Sequence, residues 1–183
     1  MEKCPTNIRD AWLLKPQVFS DERGVLLETW NRGAFRALGL DLDFFQDNQI
    51  SSSKNVLRGL HYQVGDAAQA KLAWVTSGSV FDVIVDLRES SPTFGQWDGR
   101  ILSAENRDQL YVPAGCAHGF LVLSNSCDFH YKATNPRVTA AERTLSWNDA
   151  KLGIKWPLES GVEPILSAKD RKAPSFAECE KYP

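Results

Sequence analysis

Alternating apolar and polar positions dominate the middle of the chain. In KLAWVTSGSVFDVIVDLR, residues 71–88, two β-rich stretches flank TSGS, and that spacing predicts a hairpin. On the second stretch Phe81, Val83, Val85 and Leu87 share one face, and Val80, Asp82, Ile84 and Asp86 share the other, because successive strand side chains point to opposite sides. A face that mixes acids with valine and isoleucine is expected to be only partly buried. Shorter strand signals recur at 25–30, 45–52, 57–63, 100–104, 109–113, 118–124 and 127–133, separated by Gly, Pro, Asn and Ser. Such regular short strands predict a mainly β sandwich or barrel. In RGAFRALGL, 32–40, Phe35, Leu38 and Leu40 form an apolar stripe before a glycine-containing exit, so one short helix is expected there. Residues 148–183 lose strand periodicity and are expected to wrap the core.

Composition narrows the class. With 183 residues, 43% apolar and 24% charged, the chain suits one domain with a sizeable core. A formal charge of −2 offers no general attraction to nucleic acid or to an anionic membrane, so any anion must be held by locally placed cations. Cys4, Cys116, Cys127 and Cys179 form no C-x-x-C pair, which suggests neither a zinc site nor a disulfide framework and fits a reducing cytoplasm. No segment approaches the ~20 apolar residues of a membrane span, and the first residues carry no signal-peptide pattern. A small-molecule partner and a cytoplasmic location are therefore expected.

The candidate chemistry starts from the histidines, of which there are three. VPAGCAH contains P-x-G-x-x-H, which resembles the second half of the cupin barrel signature. A metal-binding cupin would also carry H-x-H, and VLRGLHYQ supplies His61 followed by tyrosine and glutamine. Two histidines alone make a poor metal site. His61 can thus be a packed core histidine, a ligand or a proton-transfer group, and His118 a structural histidine near a turn. Arg58 beside an apolar strand needs an anionic partner, either a carboxylate of the protein or a phosphate. Strict alternation puts Arg58 and His61 on opposite faces; Gly59 between them is a place for a bulge that brings both inside. His130 shares a face with Asp128 and Lys132 and is expected to face solvent.

The segments DERG, FFQDN, VLRGLHYQ, the lysine and leucine of AKLAWV, DVIVDLR, SPTFGQW, VPAGCAHGF, HYKATN, WNDAKLGIKWP and LSAKD follow one another over roughly residues 15–172. Their order and spacing resemble the dTDP-4-dehydrorhamnose 3,5-epimerase family. The resemblance implies a cupin-type double-stranded β-helix, a jelly-roll barrel with a few short helices, as a single domain over residues 1–183. It implies a homodimer across which an N-terminal segment can be exchanged. It also implies an enzyme of dTDP-rhamnose biosynthesis, without metal or organic cofactor, that inverts C3 and C5 of dTDP-4-dehydro-6-deoxy-D-glucose. The product would be dTDP-4-dehydro-L-rhamnose, reached through an enolate.

That chemistry asks for a base and an acid on opposite faces of the sugar, with a positive group near O4, because the C4 ketone acidifies the hydrogens on C3 and C5. A free imidazole titrates at about 6.5, close enough to working pH for a base; by matching motif, His61 is that base and Asp170 the carboxylate that orients it. Tyr131 is the acid and Lys71 the cation near the enolate oxygen. Arg23, Glu28, Gln46, Asp47, Asn48, Arg58, His118, Glu142 and Lys169 match substrate-binding positions. Without the resemblance, Lys71 reads as an edge-strand lysine that discourages aggregation, and Tyr131 as a core residue with a bonded hydroxyl.

The chain also departs from the pattern. Pro136 and Arg137 follow YKATN where many relatives have tyrosines, and Val25, Leu26 and Leu27 stand where aromatics are common. These changes leave open the number of carbons inverted and the exact nucleotide sugar; a related dTDP-deoxysugar mono-epimerase, a non-catalytic nucleotide-sugar binding cupin and a metal-dependent cupin oxygenase stand as the alternative readings.

Overall fold

The strand alternation read from the chain has a direct structural counterpart in the computed structural model, which describes residues 1–183. The N-terminal third comprises β1 (Glu2–Pro5), β2 (Trp12–Lys15), β3 (Val18–Asp21), β4 (Gly24–Leu27), helix α1 (Arg32–Ala37), β5 (Gln46–Ser53) and β6 (Leu57–Gln63). There follow β7 (Lys71–Ser77), β8 (Ser79–Asp86), β9 (Trp97–Ser103), β10 (Gln109–Val112), β11 (Cys116–Val122), β12 (Ser126–Ala133), β13 (Glu142–Thr144) and helix α2 (Ala168–Arg171). One sheet runs β1-β2-β10-β7-β12-β5, a second runs β13-β6-β11-β8-β9, and β3 pairs only with β4. The two large sheets pack face to face as a jelly-roll barrel of the cupin type.

Three apolar layers result. Ala73, Val75, Ile84, Leu102, Leu110, Phe120 and Phe129 belong to the cluster that fills the barrel between the sheets. The outer face of the five-stranded sheet carries Leu60, Val83, Val85 and Leu87, packed with Leu145, Leu152, Phe176 and Cys179. The C-terminal stretch therefore covers that sheet without being a regular element. On the other side Leu14, Leu72 and Tyr111 pack with Phe35 and Leu40 from the α1 region. Helix α1 starts where Asn31 accepts a hydrogen bond from the Ala34 N–H at 3.0 Å, a side-chain N-cap.

The structure overturns two local expectations and qualifies a third. Residues 71–88 are not a hairpin: β7 lies in one sheet and β8 in the other, and the chain crosses at Gly78. Gly78 has φ +75°, and a Cβ there would lie 2.1 Å from the Ser126 carbonyl oxygen. Each run pairs with strands distant in sequence, which alternation alone does not encode. The acid-bearing face of β8 is also fully buried, Asp82 and Asp86 both being 0% exposed. Asp86 is tolerated because Arg88, Ser91 and Thr93 all donate to it, and Asp82 because His118 does. His130, on the outer face, is half-buried: its ring stacks on Trp74 at 5.5 Å and Nε2 lies 2.8 Å from Thr76 Oγ1.

The bulge expected at Gly59 is present. His118 of β11 is opposite His61 of β6, while Phe120 is opposite Arg58, so Gly59 and Leu60 together face Gly119. Both glycines are required by the close approach of the two backbones. A Cβ on Gly59 would sit 2.6 Å from Gly119 Cα, and one on Gly119 would sit 2.6 Å from the Arg58 carbonyl oxygen. The Gly119→Ala variant is accordingly expected to lose about 1–3 kcal/mol of stability in urea unfolding, since the blocking atoms are backbone. Unchanged stability would show that the strands can separate without cost.

Candidate active site

The bulge sets the direction of the polar side chains. From β6, Arg58, His61 and Gln63 all line one cavity of about 290 Å³. β11 adds His118 and Phe120, β7 adds Lys71, β12 adds Phe129 and Tyr131, and β5 adds Gln46, Asn48 and Ile50. β6 and β11 belong to the five-stranded sheet and β7, β12 and β5 to the six-stranded sheet. His61 and Tyr131 therefore face the cavity from opposed walls.

His61 is oriented from behind. Its Nε2 lies 2.6 Å from Asp170 Oδ1, and because a carboxylate only accepts, that nitrogen carries the proton and leaves the Nδ1 lone pair free. Asp170 reaches this point because the segment before α2 is tied to the start of β6: Leu57 donates to the Ile165 carbonyl and Ile165 to the Asn55 carbonyl. Ser167 caps α2, accepting from the Asp170 N–H and donating to Asp170 Oδ2 at 2.8 Å. Burial pushes the Asp170 carboxyl up, but hydrogen bonds and charge from His61, then Ser167 and Lys169, outweigh it and hold the group below its ordinary range. The carboxylate is thus kept charged, as an imidazolium partner must be.

Lys71 is the deepest cation. It belongs to a central strand, with β10 on one side and β12 on the other, so it is not an edge lysine. Its Nζ donates to the His61 carbonyl at 3.4 Å and lies 5.8 Å from the Tyr131 ring centre. Burial drives its pKa down to about 8, against the opposing charges of Asp82 and Glu142. It is mostly charged below that pH and mostly neutral above it. Tyr131 shares the interior with Phe129, and its hydroxyl has no hydrogen-bond partner in the protein. Burial raises its pKa, with Arg137 pulling it down and Glu142 pushing it further up.

At the rim Glu142 gathers two cations. Arg137 Nε and Nη2 donate to it at 2.6 and 3.2 Å, and Lys169 Nζ at 3.3 Å. The Arg137 hydrogen bonds, with help from Lys169, hold the Glu142 carboxyl at about 2 against the effect of burial. The loop that carries Arg137 is pinned from both sheets. Gln63 donates to the Pro136 carbonyl and accepts from the Val138 N–H, while Gln46 accepts from the Arg137 N–H. Arg58 is anchored by its Nε–H to Ser52 Oγ at 3.1 Å.

Sequence-derived candidates divide into two groups. His61, Lys71, Tyr131, Arg58, Gln46, Asn48, His118 and Glu142 share the cavity, with Asp170 behind His61 and Lys169 on Glu142. Arg23, Glu28 and Asp47 lie outside it. Arg23 sits on the β3–β4 turn paired with Asp21, and Glu28 accepts from Asn31. Asp47 is turned to the other face of β5, where Lys132 donates to it at 2.9 Å, as alternation between Gln46 and Asn48 requires. Asp82, Gln63 and Gln69 were not among the candidates, whereas Arg137, read from the sequence as a further phosphate contact, does line the cavity. For Asp82 the available signal was a lone acid among Val80 and Ile84 on one strand face.

The arrangement can move protons: an oriented imidazole on one wall, a phenol on the other, and an ammonium between, beside an arginine-lined rim. Known proteins resemble the chain as a whole. The family model described as dTDP-4-dehydrorhamnose 3,5-epimerase matches residues 5–178. The Pseudomonas aeruginosa dTDP-4-dehydrorhamnose 3,5-epimerase is 50% identical over 177 residues, covering 96% of each chain. The crystal structure of the Elizabethkingia anophelis enzyme of that name superposes with a TM-score of 0.94 at 46% identity, covering 100% of this chain and 99% of that one. A dTDP-6-deoxy-D-glucose-3,5-epimerase from Legionella pneumophila, solved with dTDP-4-keto-L-rhamnose, superposes at 0.89 with 44% identity over 94% of this chain and 90% of its own.

Proposed function

The chain belongs to the dTDP-4-dehydrorhamnose 3,5-epimerase family, and from that premise we propose that it inverts C3 and C5 of dTDP-4-dehydro-6-deoxy-D-glucose to give dTDP-4-dehydro-L-rhamnose. The observation that carries this reading is the His61–Asp170 pair on one cavity wall with Tyr131 on the other. Binding alone needs no oriented base opposed by an acid.

The geometry supports the following steps. The substrate ketone at C4 makes the hydrogens on C3 and C5 acidic. His61 Nδ1 removes one of them, and Asp170 stabilises the imidazolium that forms, a division of labour worth about 10²–10⁴ in rate for general base catalysis. The negative charge passes to O4, where the Lys71 ammonium, in a low-dielectric interior, stabilises the enolate more strongly than it would in water. Tyr131 returns a proton from the opposite face and the centre inverts. Arg58, with Lys169 and Arg137 at the rim, supplies cations for the diphosphate. Nothing in these steps calls for a metal or organic cofactor.

The active assembly is a homodimer. The β3–β4 hairpin pairs with no other strand and exposes Phe19, Val25 and Leu26, the last being 71% exposed. A second copy of the chain can cover that surface and receive Arg23 and Glu28 at its own cavity. No helix is long and apolar enough to cross a membrane, and four unpaired cysteines accord with a cytoplasmic location. Pro136 and Arg137 at the rim favour a second reading, in which only one carbon is inverted.

Incubation with dTDP-4-dehydro-6-deoxy-D-glucose in deuterated water is expected to place deuterium at both C3 and C5, read by NMR and mass. His61→Ala should remove label at both while remaining folded. Label at a single carbon supports the mono-epimerase, and no label with bound ligand supports a binding module. In sedimentation the wild type should have the mass of two chains, and Leu26→Asp should shift it towards one and weaken substrate binding. A fully active monomer would contradict the shared site.

A further inference from the structure

Deeper in the barrel lies a second acid that the steps above leave unused. Asp82 is on the inner face of β8, 0% exposed. Its Oδ1 accepts from His118 Nε2 at 2.7 Å, and its Oδ2 is buried with no hydrogen-bond partner at all. A half-satisfied, fully buried carboxylate costs stability unless a positive charge compensates it. The buried cation available is Lys71, on the facing sheet. The two are not in direct contact, since the hydrogen bond from Lys71 Nζ goes to the His61 carbonyl. They act on one another through the interior, where Coulomb energies fall off less than in water.

We infer that Asp82 is a positioning residue whose carboxylate is the buried counter-charge that keeps Lys71 protonated and fixes the His118 ring with Nδ1 towards the ligand. The inference rests on the epimerase reading of Lys71. The charged groups around Lys71 support it. Glu142 on β13 also favours the ammonium, but Arg137 and Lys169 already neutralise it. Lys169, beside α2, opposes the ammonium. His61 on β6 offers its backbone carbonyl and is paired to Asp170, His118 on β11 is paired to Asp82, and Tyr131 on β12 is a neutral phenol. Asp82 is the one carboxylate with an oxygen still unengaged, and its charge is the foremost force opposing the loss of the Lys71 proton. The sign is direct: removing the Asp82 charge lowers the Lys71 pKa, so the ammonium is lost at lower pH.

The test follows the Nζ resonance of ¹⁵N-lysine protein, with Lys71→Arg to assign it. In the wild type the Lys71 signal is expected to titrate near 8, well below the ~10.4 of exposed lysines. In Asp82→Asn it should titrate at least one unit lower. The alkaline limb of epimerisation should move with it, and Asp82→Asn/Lys71→Arg should recover that limb, because arginine does not titrate there. If Asp82→Asn does not fold, the Asp82 side-chain ¹³C signal of the wild type should register the Lys71 titration at the same midpoint. A Lys71 midpoint unchanged in Asp82→Asn, or an Asp82 signal flat through that range, overturns the inference. Wild-type protein that exchanges no solvent deuterium while Lys71 still senses Asp82 would overturn the epimerase reading and leave the charge pair standing.

Discussion

Everything in the cavity depends on two backbones coming closer than side chains allow. At Gly59 and Gly119 the β6 and β11 strands approach so tightly that neither position has room for a Cβ. The extra residue this packs into β6 shifts the register between Arg58 and His61 and turns both inward. Without that shift, alternation would send one of them outward, and the cavity would lose either its imidazole or its guanidinium. A packing constraint worth a few kcal/mol at one spot thus decides whether the chain has a site.

The second constraint is electrostatic. The barrel interior holds Lys71, Asp82, His118, Tyr131 and the inner edge of His61, a polar set that would be costly if left unpaired. Three groups in and behind this set are shifted in a direction that suits proton transfer. Asp170 stays charged behind His61, Tyr131 stays protonated by burial, and Lys71 stays charged below about 8. Because each pairing joins strands distant in sequence, assembling the barrel and setting the chemistry are the same event.

Parts of this were legible in the chain. Strand β6 is Leu57–Gln63, the bounds read from its pattern, and Gly59 announced its bulge by standing between two side chains that both needed the interior. The motif resemblance named the residues that converge on the cavity, although Lys71 taken alone read as a surface device. Sheet membership was not legible, because alternation reports which faces are buried and not which strands pair; residues 71–88 accordingly looked like a hairpin. The inward face of β8 looked half-exposed because its acids are paired with Arg88 and His118, which a single strand does not reveal. Short strands such as β1, β2 and β13 carry too few residues to show a period. Arg23, Glu28 and Asp47 match binding positions by motif yet lie outside the cavity of one chain.

The central claim is that base and acid stand on opposite walls and act on opposite faces of one sugar. Tyr131→Phe tests it most directly, with substrate deuterated at C3 and C5 in ordinary water. His61 should still remove label and return a solvent proton to the same face, so washout should continue at starting configuration while inversion falls by about 10²-fold or more. Inversion at the wild-type rate, or loss of washout together with inversion, would contradict the account.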